Sequence, residues 1–295
     1  MPKFTSFTSV FHTGPYPAID PTDERLSARG KTVLISGGGS GVGKVIALAF
    51  AQAQAANIII FCRTMSTLTK AKASIEEAAP DSPSKIHVFE ADMTRPSDLQ
   101  KMFSSIKSTI GPVDVLVNSA AHLADKARVF EGDIDDWWLS FQINVNGSYL
   151  LTRAFIQALP PSGEGVLLNL TSVCGHGGSM MGFSSYNASK AAFTRVLETL
   201  HHEMPKLRVM SIHPGVYDSV MRRRSGNDGG PFDDEPLAGH FAVWAASPEA
   251  DFLAGRTVWA NWDVDELKAR REEILSKDKL VFTLEGFPNM DLNNL

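Results

Sequence analysis

Seven short apolar runs, spaced along the chain by stretches of helical character, constrain the fold more than any other feature. They fall at 32–35, 57–61, 86–89, 113–117, 166–170, 209–212 and 257–260. A continuous apolar run this short reads as a strand buried on both faces. Strands that alternate with helices give βαβ units with right-handed crossovers and a parallel sheet. The helical stretches fit this reading. Residues 43–50 are rich in small helix formers, and Asp133, Asp135 and Asp136 sit where a helix N-terminus favours negative charge. The fold class expected is α/β, a doubly wound parallel sheet of about seven strands with helices on both faces.

Length and composition set the outer bounds. With 295 residues, 43% apolar and 21% charged, the chain can bury the core of one large α/β domain. Residues 1–30 carry Pro15, Pro17 and Pro21 without periodicity and read as an extended arm. The sequence leaves open whether that arm is ordered. A single domain over 31–267 follows, with a long, charged, loop-like segment near 217–240 suited to a substrate lid; residues 268–295 form a C-terminal extension. The formal net charge of −5 speaks against nucleic acid or an anionic membrane as partner. Two cysteines, Cys62 and Cys174, make no disulfide framework or metal-ligand spacing. No window approaches the ~18 apolar residues of a membrane span, and Met1 to Ser6 lacks the apolar core of a secretory signal. A reducing, cytoplasmic setting and no metal are expected.

Two motifs carry chemistry. The first is the run from Gly37 to Gly43 between the first strand and the first helix. Glycines there tolerate positive φ and let the backbone approach a ligand, and the helix N-terminus offers free N–H groups to a pyrophosphate. The second is Ser185-Tyr186-Asn187-Ala188-Ser189-Lys190. Tyr186 and Lys190 share one helix face. An ammonium near a phenol is expected to lower the phenol pKa and ready it for proton transfer.

The spacing Ser36-Gly37-x-x-x-Gly41-x-Gly43, followed by Tyr186-x-x-x-Lys190, resembles the short-chain dehydrogenase/reductase family, with Ser36 in place of the usual threonine. The similarity runs from about residue 31 to 262, and the tail around Gly255 and Trp262 is similar to a fungal subgroup. Asn118-Ser119-Ala120-Ala121 resembles the family's Asn-Asn-Ala-Gly motif with two substitutions, and Pro214-Gly215 followed by Ser219 resembles its Pro-Gly-x-x-x-Thr. The resemblance implies a Rossmann-like fold and a catalytic tetrad of Asn144, Ser172, Tyr186 and Lys190. It implies cofactor contacts from Ser36, Gly37, Gly39, Ser40, Gly41, Val42, Gly43, Asp92, Met93, Asn118, Ala120, Pro214, Gly215, Val216 and Ser219, besides Tyr186 and Lys190. After the second strand, Cys62-Arg63-Thr64 offers no carboxylate to a ribose hydroxyl, and Arg63 can pair with a 2′-phosphate, so NADP(H) is favoured over NAD(H).

The function expected is interconversion of a carbonyl and a secondary alcohol of a medium-sized, fairly apolar molecule. The alternatives are a non-redox isomerase, cyclase or dehydratase on the same scaffold, or a catalytically silent nucleotide sensor. By family analogy His122, Cys174, His176, Met180, Met181, Phe183, Tyr217 and Met221 fall in segments that border the nicotinamide, where they read either as an adaptable apolar pocket or as ordinary core. The run Arg222-Arg223-Arg224 reads either as a solvated face or as an attractor for an acidic substrate or the 2′-phosphate. The helices of Asn144 and Tyr186 form the subunit interface in this family, which implies a homodimer or homotetramer.

Overall fold

The computed structural model describes residues 6–178, 180–226 and 229–284. Positions 1–5 of the expected arm, 285–295 of the extension and 227–228 of the expected lid lie outside the described residues. Each apolar run forms a strand: β1 (Thr32–Ser36), β2 (Asn57–Cys62), β3 (Lys85–Glu90), β4 (Val115–Asn118), β5 (Gly165–Leu170), β6 (Leu207–His213) and β7 (Thr257–Trp259). They make one sheet, all parallel, in the order β3-β2-β1-β4-β5-β6-β7. Strand order reverses between β1 and β4. In open α/β sheets the crevice at such a switch point, beyond the carboxyl ends of the strands, is where ligands bind.

Strand side chains alternate between two apolar layers, as a two-residue period requires. Val33 and Ile35 face one layer, shared with α1 (Gly41–Gln52) and α9 (Pro236–Ala246), where Phe50, Phe241 and Trp244 are fully enclosed. Leu34 faces the other layer, shared with α3 (Pro96–Thr109), α5 (Ser148–Ile156) and α7 (Ser184–Glu203), where Phe155 and Phe193 fill the space. The remaining helices are α2 (Met65–Ala78), α4 (Ile134–Phe141), α6 (Val173–His176), α8 (Val220–Arg224), α10 (Val264–Ala269) and α11 (Arg271–Ser276).

The N-terminal segment settles a point that the sequence leaves open. Residues 6–30 lie on their own domain, with two short 3₁₀ turns, Pro17–Ile19 and Glu24–Leu26. Ile19 and Leu26 are buried in the α1/α9 layer together with Trp262, Val264 and Ile274 from the other end of the chain. The Glu266 carboxylate accepts the N–H groups of Ser9 (2.7 Å) and Val10 (2.9 Å), and Arg270 stacks its guanidinium 3.6 Å from the centre of the Phe7 ring. The apolar positions at Ile19 and Leu26 are too far apart to register as a period, which is why the segment reads as an unattached arm.

Candidate active site

Every expected site residue follows the carboxyl end of a parallel strand or lies on a helix that packs there, so the sheet gathers them at one edge. The turn after β1 is a cradle. Gly41 holds φ +51°, and a side chain at Gly43 would come within 2.5 Å of the Gly37 carbonyl oxygen. The first favours glycine and the second requires it. Ser40 stands at the N-cap of α1 but no side chain bonds the first N–H groups of that helix. An uncapped N-terminus on a helix this long is a ready site for a pyrophosphate. The residues present therefore fit a dinucleotide.

Behind the cradle runs a row of buried polar side chains. Ser36, Asn118, Asn169 and Ser211 are paired in register across β1, β4, β5 and β6. Ser36 Oγ donates to Asn118 Oδ1 (3.2 Å), Asn118 Nδ2 donates to Asn169 Oδ1 (3.1 Å), and Asn169 Nδ2 donates to Ser211 Oγ (3.3 Å). Ser36 Oγ also accepts the N–H groups of Ser119 (2.9 Å) and Ala120 (3.0 Å), which shapes the turn after β4. The Ser36 and Asn118 side chains are buried and bonded to each other and to their neighbours, so they organise the cleft from behind. Met93 is likewise buried, against Gly147. Asn169 and Ser211 were missed; a polar residue inside an otherwise apolar strand run was the available signal.

The β2 and β3 ends shape the next part of the cleft. Arg63 is exposed on the rim of a groove of about 690 Å³ that Asp92, Arg95 and Lys101 also line. Burial opposes the Asp92 charge, but hydrogen bonds from the Thr94 hydroxyl (2.7 Å) and N–H (2.9 Å), helped by Arg63 and Arg95, hold its pKa below the usual carboxylate value. The fold also brings in an acid that local sequence did not place here. Glu90 pairs in register with Cys62, and its carboxylate accepts the Met65 N–H at 2.6 Å.

The catalytic candidates converge from three elements. Ser172 ends the stretch after β5 and caps α6, its Oγ accepting from Cys174 N at 3.2 Å. Lys190 lies one turn beyond Tyr186 on α7, with Nζ 5.7 Å from the centre of the phenol ring. Asn144 sits in a π-helical segment, Gln142–Gly147, the kind of local irregularity that recurs at functional sites. Its amide pairs with both backbone groups of His122 (2.7 and 2.9 Å) and donates to Ser189 Oγ at 3.0 Å.

The electrostatics differ from the expectation that Lys190 lowers the Tyr186 pKa. Burial dominates and pushes the phenol pKa up, with the Cys174 thiol adding to the rise and a hydrogen bond with Ser172 opposing it. Lys190 Nζ donates to the Leu170 carbonyl oxygen (2.7 Å), and burial brings its pKa down to about 8. The buried phenol holds its proton more tightly than a free tyrosine does.

Beyond β6, residues 214–226 and 229–235 leave the sheet edge and are joined at their base. The neck is a pair of bonds: Val216 N donates to Asp233 Oδ2 (2.7 Å), and Asp233 N donates to Val216 O (2.8 Å). Tyr217 is buried there and donates to the carbonyl of Pro214. Within the loop Ser219 caps α8, accepting from Arg222 N at 3.1 Å. Arg224 then reaches across to Asp125 (2.7 Å) and Asp136 (3.4 Å). Asp136 bonds the His122 ring at 2.7 Å, so the loop is tied through His122 to Asn144.

The expected substrate-lining residues divide. Met221 lies on the Tyr186 hydroxyl (Sδ 3.8 Å), and Cys174 contacts Met180. Phe183 is buried and Met181 is exposed. The Trp259 indole donates to His176 Nε2 at 2.7 Å, which draws that ring toward β7; burial lowers the His176 pKa to about 4.

Comparison with known proteins agrees with this geometry. The family model for short chain dehydrogenases matches residues 31–229. A short chain dehydrogenase/reductase of Aspergillus novofumigatus, nsrO, is 37% identical over 290 residues, covering 94% of this chain and 95% of that protein. AacuD of Aspergillus aculeatus, a short chain dehydrogenase/reductase, is 35% identical over 280 residues, covering 93% and 95%. Among solved structures, a short chain dehydrogenase from Shigella flexneri solved with NADP matches with TM-score 0.73 and 24% identity, covering 81% of this chain and 99% of that one. A glycine cradle at the switch point, a Ser–Tyr–Lys cluster beside it and fungal relatives matched almost end to end lead to one conclusion: the chain belongs to the short-chain dehydrogenase/reductase family of oxidoreductases.

Proposed function

We propose that this protein is an NADPH-dependent carbonyl reductase acting on a medium-sized, fairly apolar ketone or aldehyde. The observation that carries the reading is the buried phenol of Tyr186, hydrogen-bonded with Ser172 and with Lys190 Nζ 5.7 Å from its ring centre, at the carboxyl edge of the sheet. When bound, the nicotinamide cofactor supplies the hydride. Ser172 donates a hydrogen bond to the substrate oxygen as negative charge develops on it. Tyr186 delivers its proton to that oxygen. Lys190, with a pKa of about 8 still largely an ammonium at neutral pH, supports the phenolate that remains. Asn144 fixes the turn at His122 and the α7 residue Ser189, which holds the site's shape.

The first test is Tyr186→Phe. NADPH oxidation with a panel of carbonyl compounds should fall by roughly 100- to 10,000-fold, the usual share of a general acid, with the circular dichroism spectrum unchanged. Near-parental turnover in that variant would end the assignment.

Support for NADPH over NADH is the exposed guanidinium of Arg63 at the β2 end, with Glu90 engaged by Met65 N–H. The NADP bound in the Shigella flexneri protein is consistent with it. Arg63→Met should weaken NADPH by about tenfold or more, the worth of a charge-assisted phosphate contact, and leave NADH nearly unchanged. Equal losses for both cofactors would refute the 2′-phosphate role. Exposed Trp138, Tyr149 and Val196 on α4, α5 and α7 support assembly as a homodimer or homotetramer, which light scattering measures directly.

A further inference from the structure

Three consecutive arginines stand on α8, and their surroundings separate them. Arg223 pairs with Asp218 at 2.7 Å, and Arg224 pairs with Asp125 and Asp136. Both are exposed and neutralised. Arg222 differs. It is half-buried, and its Nε is shut off from solvent with no hydrogen-bond acceptor. Among the described residues no carboxylate pairs with it. Its side chain makes a single long bond, from Nη2 to the Gly229 carbonyl at 3.4 Å.

The position of Arg222 bears on the reaction. The preceding residue, Met221, rests on the Tyr186 hydroxyl, and Ser219 Oγ holds the Arg222 N–H, so Arg222 leaves the chain next to the residue that touches the proton donor. Its positive charge is felt at Cys174, two residues past Ser172. A guanidinium N–H withdrawn from water without an acceptor is unfavourable. The planar guanidinium fork is the geometry that receives a carboxylate or other anionic oxygen. Two anions could come here, a substrate's or the cofactor's phosphates. The phosphates already have the uncapped α1 N-terminus and Arg63. Arg222 sits at the Tyr186 end.

We infer that Arg222 is the anion-recognition residue of the substrate site: the carbonyl compound reduced here carries an ionised oxygen, a carboxylate or an acidic phenol or enol, that Arg222 receives while Tyr186 faces the carbonyl. This rests on the reading of Tyr186 as the proton donor.

The test is calorimetric titration of the full chain with 1-naphthoate and with its neutral counterpart 1-naphthamide, with and without saturating NADPH. The wild type should bind the anion roughly tenfold or more tightly than the amide, the worth of a hydrogen-bonded ion contact. Arg222→Met should erase that preference, Arg222→Lys should restore part of it, and Arg223→Met should keep it whole. NADPH affinity should change little in all three. No preference in the wild type, or a preference that survives Arg222→Met, overturns the inference. A tenfold loss of NADPH affinity in Arg222→Met with the naphthoate preference intact assigns the arginine to the cofactor phosphates and also overturns it. Wild-type protein that prefers naphthoate but binds neither NADPH nor NADH would leave Arg222 as an anion site and remove the reductase reading instead.

Discussion

The two halves of the cleft are held by different forces. On the nucleotide side, the row from Ser36 to Ser211 behind the glycine cradle sits inside the sheet, buried and closed by bonds between strands in fixed register. On the substrate side, the 214–235 loop is attached at its neck by Asp233 and at its tip by exposed ion pairs of Arg224. Buried, fully satisfied polar networks are rigid, and removing one member leaves its partners unpaired in a low dielectric. Exposed ion pairs contribute little and yield to salt. The polar row is therefore held more firmly than the loop that carries Arg224.

The sharpest way to break this comparison is at the centre of the row. Asn169→Leu strips a partner from both Asn118 and Ser211 and should cost about 2–4 kcal/mol of stability. Urea unfolding would show a lower midpoint at unchanged slope. A loss below about 1 kcal/mol would mean that the row is not the rigid element claimed.

A pH series comes next. Burial, with some help from neighbouring His176, lowers the His213 pKa to about 3, and burial lowers that of His176 to about 4, both from 6.5. Between those values and 6.5 the unfolded chain binds protons that the native protein refuses. Stability therefore falls as pH drops from about 6.5 toward 4. His213→Asn should flatten that fall in thermal melts. An unaltered pH slope in the variant would remove His213 from the explanation.

The smallest effect belongs to the tip of the loop. Asp125→Asn removes one partner of Arg224 without disturbing a buried group. Trypsin cleavage at Arg222, Arg223 and Arg224 should quicken by a few fold, in line with an exposed pair worth ~1 kcal/mol or less. Added salt should quicken cleavage of the wild type in the same way. Cleavage indifferent to both would show that the loop is held at its neck alone.

Much of the cofactor half was legible in the chain. Apolar strand runs, the glycine turn and the Tyr186–Lys190 interval are short-range patterns, and short-range patterns obey helix and strand periods. The fungal affinity read from the tail matches the Aspergillus relatives. That the Ser36 and Asn118 side chains bond each other was not legible, because register across four strands decides which way they face. Glu90 beside Cys62 and Asp136 beneath Arg224 were invisible for the same reason: each pair is brought together from separate segments. The N-terminal segment hid its anchoring because Ile19 and Leu26 bury against residues more than two hundred positions away.

The sequence by itself determined the alternation of strands and helices, the parallel sheet, and the place of the cleft at the turn after β1. Those follow from side-chain periodicity and from the backbone freedom of glycine, which act within a few residues. Tertiary structure alone decided which charges are spent and which are not. Whether an arginine meets a carboxylate, or a phenol loses its water, depends on groups distant in the chain and on the dielectric they create together. Adjacent Arg222, Arg223 and Arg224 are equivalent as letters and become different residues only when the loop folds over the sheet.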